Sequence, residues 1–319
     1  MLFEVRHVTQ YHYDEPVRES VIEVRMQPRK SGGQGLVSFD LEIEPAAQVL
    51  SYADSWGNAV HHFDIPHSHQ RLEIIARSVV ETFHRADPPA AVAMDEWESL
   101  GSEAVRGEAW DFLSFGGLVT ESPLLAEFVE GRKLGELKRA DPLTALRRLN
   151  RIVYDAFDYE AGITDADSPI DHALAEGRGV CQDFAHIMIA VARGWGVPAR
   201  YVSGYLFTDE HDRSTSGATH AWIEVFLPSL GWIGFDPTND AMTGERHLAV
   251  AIGRDYSDAP TSHGVFKGDA ESHLSVGVSV RKTTERASQP EHLRMGAPAL
   301  AAARRHASRA DMLERQQQQ

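Results

Sequence analysis

The sequence predicts an α+β protein in which an antiparallel β domain precedes a mixed region of helices and strands. Residues 2–85 form short runs of alternating apolar and polar side chains that are rich in β-branched and aromatic residues. Turn formers separate these runs, and Asp14-Glu15-Pro16 is expected to be one such turn. Beyond Asp87-Pro88-Pro89 the apolar positions recur at helical spacing, and clear strand-like alternation returns only after residue 198.

Three helices are predicted after the β domain. Ser122-Pro123 and Asp141-Pro142 each place a capping side chain before a proline, which is typical of a helix start. The third helix begins at Cys181, and its apolar stripe ends at Gly194. Three strands follow, with the sequences ARYVSGYLF, HAWIEVFL and GWIGFD, and the last two are expected to form a hairpin. Residues 237–268 are expected to be mainly loop, and 272–282 to form a last strand.

These patterns predict four segments. They are an N-terminal antiparallel β domain (1–85), a helical connector (86–140), a catalytic core (141–284) and a tail expected to be disordered (285–319). A length of 319 residues is also typical of about two domains.

Composition and charge narrow the classes of function. The formal net charge of -16 repels phosphate backbones and anionic lipid, so neither nucleic acid nor a membrane is an expected partner. No apolar stretch approaches the length of a membrane-spanning helix, and the first residues alternate like a strand instead of resembling a signal peptide. The single cysteine precludes an intramolecular disulfide, which favours a reducing compartment, and we expect the cytoplasm.

The single cysteine, Cys181, lies in the sequence GRGVCQDFAH at the start of a predicted helix. Free cysteine is often an inert buried residue. At a helix N-terminus, however, unpaired N–H groups and the helix dipole favour the thiolate, which is the nucleophilic form. Gly177 and Gly179 would let the backbone approach a substrate closely, while Asp183 is expected to cap the first turn.

A thiolate nucleophile needs a base, and histidine suits that role near neutral pH. Of the 16 histidines, His220 stands apart because it opens the strand HAWIEVF directly after a polar segment. Asp236 ends the next strand and could orient the imidazole. A three-residue loop at 228–230 would place Asp236 on the same face as His220, whereas a two- or four-residue loop would reverse that parity.

These residues resemble the core of the transglutaminase-like superfamily, and especially its bacterial branch. The resemblance covers most of residues 1–285 except the stretch 90–140, and it is carried by GRGVCQDFAHIMIAVARGWGVPARYVSGYL (177–206), THAWIEVFLPSLGWIGFDPTN (219–239), FDYEAGIT (157–164) and GRDYSDAP (253–260). It implies a papain-like fold with Cys181 as nucleophile, His220 as general base and then acid, and Asp236 orienting the imidazole. No calcium-binding loop of EF-hand spacing is present, so neither a metal nor a cofactor is expected.

The implied reaction is attack of the Cys181 thiolate on an amide carbonyl. The expected partner is a protein or peptide that carries a glutamine side chain or a scissile amide. Water would resolve the thioester by hydrolysis, which we favour, and a lysine amine would give a crosslink. Gln182 could aid the oxyanion, and Trp222 and Tyr205 could wall the acyl site, although each is as easily structural.

Two other interpretations stay open from the sequence. The papain-like core could be a catalytically silent scaffold whose acidic surface recruits a basic protein. The histidine-rich sequence could also bind a metal. The sequence predicts no oligomeric state.

Overall fold

The computed structural model of the chain describes residues 1–31, 33–208, 211–213 and 217–285. These residues form two compact units, one of 1–83, 217–219 and 260–285, the other of 84–208, 211–213 and 220–259. Residues 286–319 of the predicted tail lie outside the described residues.

The described elements confirm the α+β class. In chain order they are β1 (Leu2–Val24), β2 (Gln34–Glu44), β3 (Leu50–Ala53), β4 (Ala59–Ile65), β5 (His69–Thr82), α1 (Glu96–Leu100), α2 (Glu103–Glu108), α3 (Pro123–Gly131), α4 (Pro142–Ala156), β6 (Asp158–Tyr159), α5 (Ile170–Glu176), β7 (Arg178–Gly179), α6 (Cys181–Gly194), β8 (Ala199–Leu206), β9 (His220–Leu227), β10 (Gly231–Asp236), β11 (Ala241–Met242), β12 (His247–Gly253), β13 (Ser262–Lys267) and β14 (Ser272–Lys282), with short 3-10 turns at Trp110–Phe112, Leu134–Arg139 and Tyr256–Asp258.

The first unit is a seven-stranded antiparallel sheet centred on β1, in the order β2-β5-β1-β4-β3, with β13 and β14 also paired to β1. The predicted turn at Asp14-Glu15-Pro16 is wrong, because β1 continues through it. The register against β5 shifts between His12 and Val17, so the extra residues bulge and bend the strand without ending it. Proline is tolerated at such an irregularity because no ladder N–H is needed there.

The predicted division of the chain assigned residues 260–284 to the catalytic core. In the structure, β13 and β14 from this stretch pair with β1 of the first unit. β14 pairs with β1 without interruption from Phe3 opposite Lys282 to Tyr13 opposite Ser272. Alternation along a sequence identifies a strand but not its partner, and here the partner is the first strand of the chain.

The second unit contains a five-stranded antiparallel sheet in the order β11-β10-β9-β8-β12, and α6 packs against β8 and β9. Buried side chains of α4, α6 and the sheet form one apolar core. Leu100, Val119, Leu125 and Leu134 of the predicted connector are buried in that same core, so these residues are part of the unit that carries Cys181. β12 occupies a stretch that was expected to be mainly loop.

The predicted helix starts are confirmed by their caps. Ser122 Oγ accepts a hydrogen bond from the N–H of Leu125 at 3.1 Å, and Asp141 Oδ1 accepts from the N–H of Thr144 at 3.1 Å. α6 begins at Cys181 and ends at Gly194, as expected. None of the helices in the described residues has both the length and the hydropathy that a membrane crossing requires.

Gly204 on β8 lies where the neighbouring atoms leave no room for a side chain. A Cβ atom there would overlap the carbonyl oxygen of Leu248 and the ring of Trp222. We therefore expect Gly204→Ala to lower the free energy of unfolding by about 2 kcal/mol or more, since overpacking forces neighbours to move. Urea unfolding measures the change.

Gly107→Ala in α2 is the matched control, because a Cβ at Gly107 meets no atom within 4 Å. It should be neutral or stabilise by up to about 1 kcal/mol through helix propensity. Equal effects of the two substitutions would contradict the close packing around Gly204.

Candidate active site

The β9–β10 hairpin places His220 and Asp236 on one face of the sheet. Gly231 pairs with Leu227 and Phe235 with Ile223, so the loop is the three residues 228–230. This is the condition under which the sequence predicted that the two side chains would meet. Continuing the register puts Asp236 opposite Trp222, and alternation along β9 gives Trp222 and His220 the same face.

His220 and Asp236 form a buried ion pair. His220 Nε2 lies 2.7 Å from Asp236 Oδ2, and their side chains are 2% and 0% exposed. Burial lowers the pKa of His220, but the carboxylate of Asp236 outweighs it and the pKa is raised to about 10. Burial raises the pKa of Asp236, yet His220 and His247 hold it well below its usual range. The imidazole is therefore cationic at neutral pH.

Five hydrogen-bond donors contact the carboxylate of Asp236. Besides His220, Asn239 donates twice, and Thr238 and His247 donate once each. Oδ1 accepts from the backbone N–H of Thr238 at 3.0 Å and of Asn239 at 3.3 Å. Oδ2 accepts from Asn239 Nδ2 at 2.8 Å and from His247 Nε2 at 3.1 Å. A carboxylate with this many donors stays ionised and fixed in orientation.

Cys181 interacts with His220. The thiol is partly exposed at the first position of α6, and its hydrogen-bond and Coulombic interactions also raise the pKa of His220. Within the described residues, His220 Nδ1 has no hydrogen bond of normal geometry, so the contact with sulfur is looser than the contact with Asp236. Asp236 occupies Nε2 and leaves Nδ1 without a hydrogen-bond partner among the described residues. His220 thus interacts with both Asp236 and Cys181, and the joint catalytic role of the three residues stays a prediction.

Asp183 caps α6, as predicted. Its Oδ2 accepts from the N–H of Val180 at 2.8 Å and from Thr164 Oγ1 at 2.6 Å. A Cβ on Gly179 would lie 2.7 Å from that oxygen, so this glycine makes room for the cap and not for a substrate. Gly177 ends α5 with a φ of 68°, a left-handed conformation that suits glycine.

The first turn of α6 leaves two backbone donors beside the sulfur. No acceptor is found among the described residues for the N–H groups of Cys181 and Gln182. The side-chain amide of Gln182 is already engaged, since Nε2 donates to the carbonyl oxygen of Ala166 at 2.8 Å. The oxyanion role predicted for that side chain is untested, and the backbone offers an alternative.

Trp222 and Tyr205, predicted to wall an acyl site, are 2% and 1% exposed. The Trp222 ring packs edge-on against His247 with centroids 5.3 Å apart. Gly204 pairs with His220, so alternation along β8 places Tyr205 on the opposite face of the sheet. Both positions are packing positions in this structure, and direct contact with a substrate stays a prediction.

His247 is a site residue that the sequence reasoning missed. It opens β12 after a polar segment, just as His220 opens β9, and an apolar run, Leu248 to Ile252, of which all but Ala249 are buried, follows it. That shared pattern could have identified it.

His220, Asp236 and His247 also carry metal-ligand atoms within 4.8 Å of one another, and such a set could hold an ion such as Zn²⁺. Here both Nε2 atoms are hydrogen-bonded to Asp236 Oδ2, so protons already occupy the positions between the ligands.

Two family models match the chain. That of the bacterial transglutaminase-like N-terminal region matches residues 3–81, and that of the transglutaminase-like superfamily matches residues 134–237, which include Cys181, His220 and Asp236. A relative matches over nearly the whole chain: the Mycobacterium leprae protein ML0607 is 34% identical over 281 residues, which are 87% of this chain and 98% of that protein. The chain belongs to the transglutaminase-like superfamily.

Two further proteins are similar to this chain. A protein-glutamine gamma-glutamyltransferase of Pseudomonas aeruginosa is 30% identical over 138 residues, which are 38% of this chain and 20% of that protein. A Cytophaga hutchinsonii crystal structure, described as a candidate cysteine protease, superposes with a TM-score of 0.68 at 19% identity and covers 89% of this chain and 92% of that one. This likeness confirms the predicted papain-like fold with an N-terminal antiparallel β domain.

The His220–Asp236 pair should make stability depend on pH. Because folding raises the pKa of His220 from about 6.5 to about 10, the pair stabilises fully below about pH 6.5 and progressively less as pH rises towards 10. Asp236→Asn should therefore cost about 3–5 kcal/mol of unfolding free energy near pH 6, since one partner of a buried pair is removed, and less near pH 9.5. Urea unfolding at several pH values measures it.

Asp155→Asn is the control for this series. Asp155 is 49% exposed and pairs with Arg151 at 2.8 Å, so its loss should cost under about 1 kcal/mol at every pH tested. A cost of Asp236→Asn that rises from pH 6 to pH 9.5 would contradict a cationic His220.

Proposed function

We propose that this transglutaminase-like protein is a cysteine-dependent amide hydrolase or acyltransferase that forms a thioester on Cys181. The observation that carries the proposal is the buried His220–Asp236 pair, which leaves Nδ1 of a cationic imidazole towards the thiol. An imidazolium beside the sulfur stabilises the thiolate and can supply the proton that a leaving amine needs.

The proposed reaction begins when the thiolate of Cys181 attacks the carbon of an amide carbonyl. We propose that the N–H groups of Cys181 and Gln182, which lack an acceptor among the described residues, donate to the resulting oxyanion at the positive end of α6. The C–N bond then breaks, and the nitrogen leaves with the proton from His220 Nδ1. Asp236 keeps the imidazole oriented throughout and stabilises its positive charge.

The thioester can be resolved in two ways. A water molecule gives a proton to Nδ1 and attacks the acyl carbon, the C–S bond breaks, and the acid leaves. A lysine amine in place of water gives an amide crosslink by the same steps. We favour water because the thiol is partly exposed.

The name of the Pseudomonas relative supports a protein glutamine as the acyl donor, and the single cysteine fits a reducing compartment such as the cytoplasm.

An acyl-enzyme on Cys181 tests this proposal. The full chain is mixed with a bacterial protein extract, quenched in acid within seconds, and digested. Mass spectrometry of the peptide containing Cys181 should reveal adducts that hydroxylamine removes, as expected of thioesters.

Cys181→Ser is the control and should give no hydroxylamine-sensitive adduct. Addition of cadaverine should leave most of the product as free acid if water is the preferred acceptor. No adduct under any quench time, with the wild-type chain folded, would contradict the proposal.

A further inference from the structure

His247 is the second imidazole on the carboxylate of Asp236. The register of β12 against β8 pairs His247 with Leu206, and Gly204 of the same strand pairs with His220. Residues 204 and 206 share a face, so His247 lies on the face of the sheet that carries His220. The side chain is 4% exposed, so its hydrogen bonds are screened from water.

The hydrogen bonds of His247 define its protonation. The N–H of Gly244 donates to Nδ1 at 3.3 Å, so Nδ1 is an acceptor and the proton lies on Nε2. Nε2 in turn donates to Asp236 Oδ2 at 3.1 Å. Burial lowers the pKa of His247, and the positive charges of His220 and Arg246 lower it further, against the opposing effect of Asp236. The ring is therefore a neutral donor.

The ring of His247 is also held in place by packing. Trp222 contacts it edge-on and reaches across Gly204, where a side chain would block the indole. An aromatic ring fixed on one side by Trp222 and on the other by the Gly244 N–H has little freedom to rotate away from Asp236.

We propose that His247 is a positioning residue that shares Oδ2 of Asp236 with His220 and so limits how strongly the carboxylate stabilises the His220 cation. The role rests on the proposed function, because the stability of the His220 cation sets how readily Nδ1 gives its proton to the leaving amine. Asn239 and the N–H of Thr238 still fix Asp236 when His247 is absent. The loss of His247 therefore leaves the carboxylate in place with one donor fewer.

The consequence is a change in the titration of His220. The ionisable groups that face His220 are Asp236 and Cys181, with His247 behind Asp236; those that face His247 are Asp236, His220 and Arg246. Removing a neutral donor from Oδ2 concentrates negative charge towards His220 and strengthens the remaining hydrogen bond.

Long-range proton–nitrogen NMR of the full chain tests the role directly, without any substrate. In the wild type, His247 should show an unprotonated Nδ1 and a protonated Nε2 from pH 5 to pH 9. His247→Leu should move the titration midpoint of His220 upward by about half a pH unit or more, since hydrogen bonds to charged groups are among the stronger ones. His247→Gln, which restores an N–H donor, should bring the midpoint back towards the wild-type value.

Leu248→Ala is the matched control, because it opens a cavity in the same strand at a residue that is 0% exposed and leaves the Asp236 contacts intact. It should lower the melting temperature without moving the His220 midpoint. A His247 that becomes protonated in this range, or a midpoint unchanged or lowered in His247→Leu, would overturn the role. So would stoichiometric Zn²⁺ binding through both Nε2 atoms, which would make the three residues a metal site.

If His247→Leu does not fold, the tautomer of His247 in the wild type still decides the question, because a proton on Nδ1 instead of Nε2 would overturn the role. Failure of the proposed function is recognised separately, because it removes the acyl adduct on Cys181 and leaves these titrations as described.

Discussion

The buried ion pair between His220 and Asp236 organises the candidate active site. Placing two charges where the side chains are 2% and 0% exposed is costly, and it is tolerated only when the geometry is good and further hydrogen bonds stabilise the charges. The sheet and its loops provide these hydrogen bonds: two backbone amides, one side-chain amide and a second histidine donate to the carboxylate of Asp236. The imidazole is thereby held as a cation, with one nitrogen left for the sulfur.

The helix that carries Cys181 contributes the other half of the site. Asp183 caps α6, and its carboxylate fits only because Gly179 has no side chain. The geometry of one helix start therefore explains these two residues of the GRGVCQD sequence. Burial of α6 against β8 and β9 then fixes the thiol relative to His220. The proposed chemistry therefore depends on a conventional helix N-terminus packed against a hairpin of defined loop length.

Local patterns predicted much of this arrangement. The start of α6, the caps of α3 and α4, and the parity of the hairpin depend on residues close together in the chain, so the sequence contained the relevant information. The errors concern distant partners. The bulge that carries β1 through Pro16, the pairing of β14 with β1 and the contact of His247 with Asp236 each involve strands that the sequence pattern does not connect.

The rate at which iodoacetamide alkylates Cys181 at pH 6 tests the central claim most directly. Alkylation requires the thiolate, and a thiol with an ordinary pKa of ~8.5 is only about 0.3% ionised at that pH. We expect Cys181 in the wild type to react at least about tenfold faster than a model thiol, and His220→Ala to lose this excess. Equal rates for the wild type, His220→Ala and a model thiol would contradict it and favour a catalytically silent scaffold.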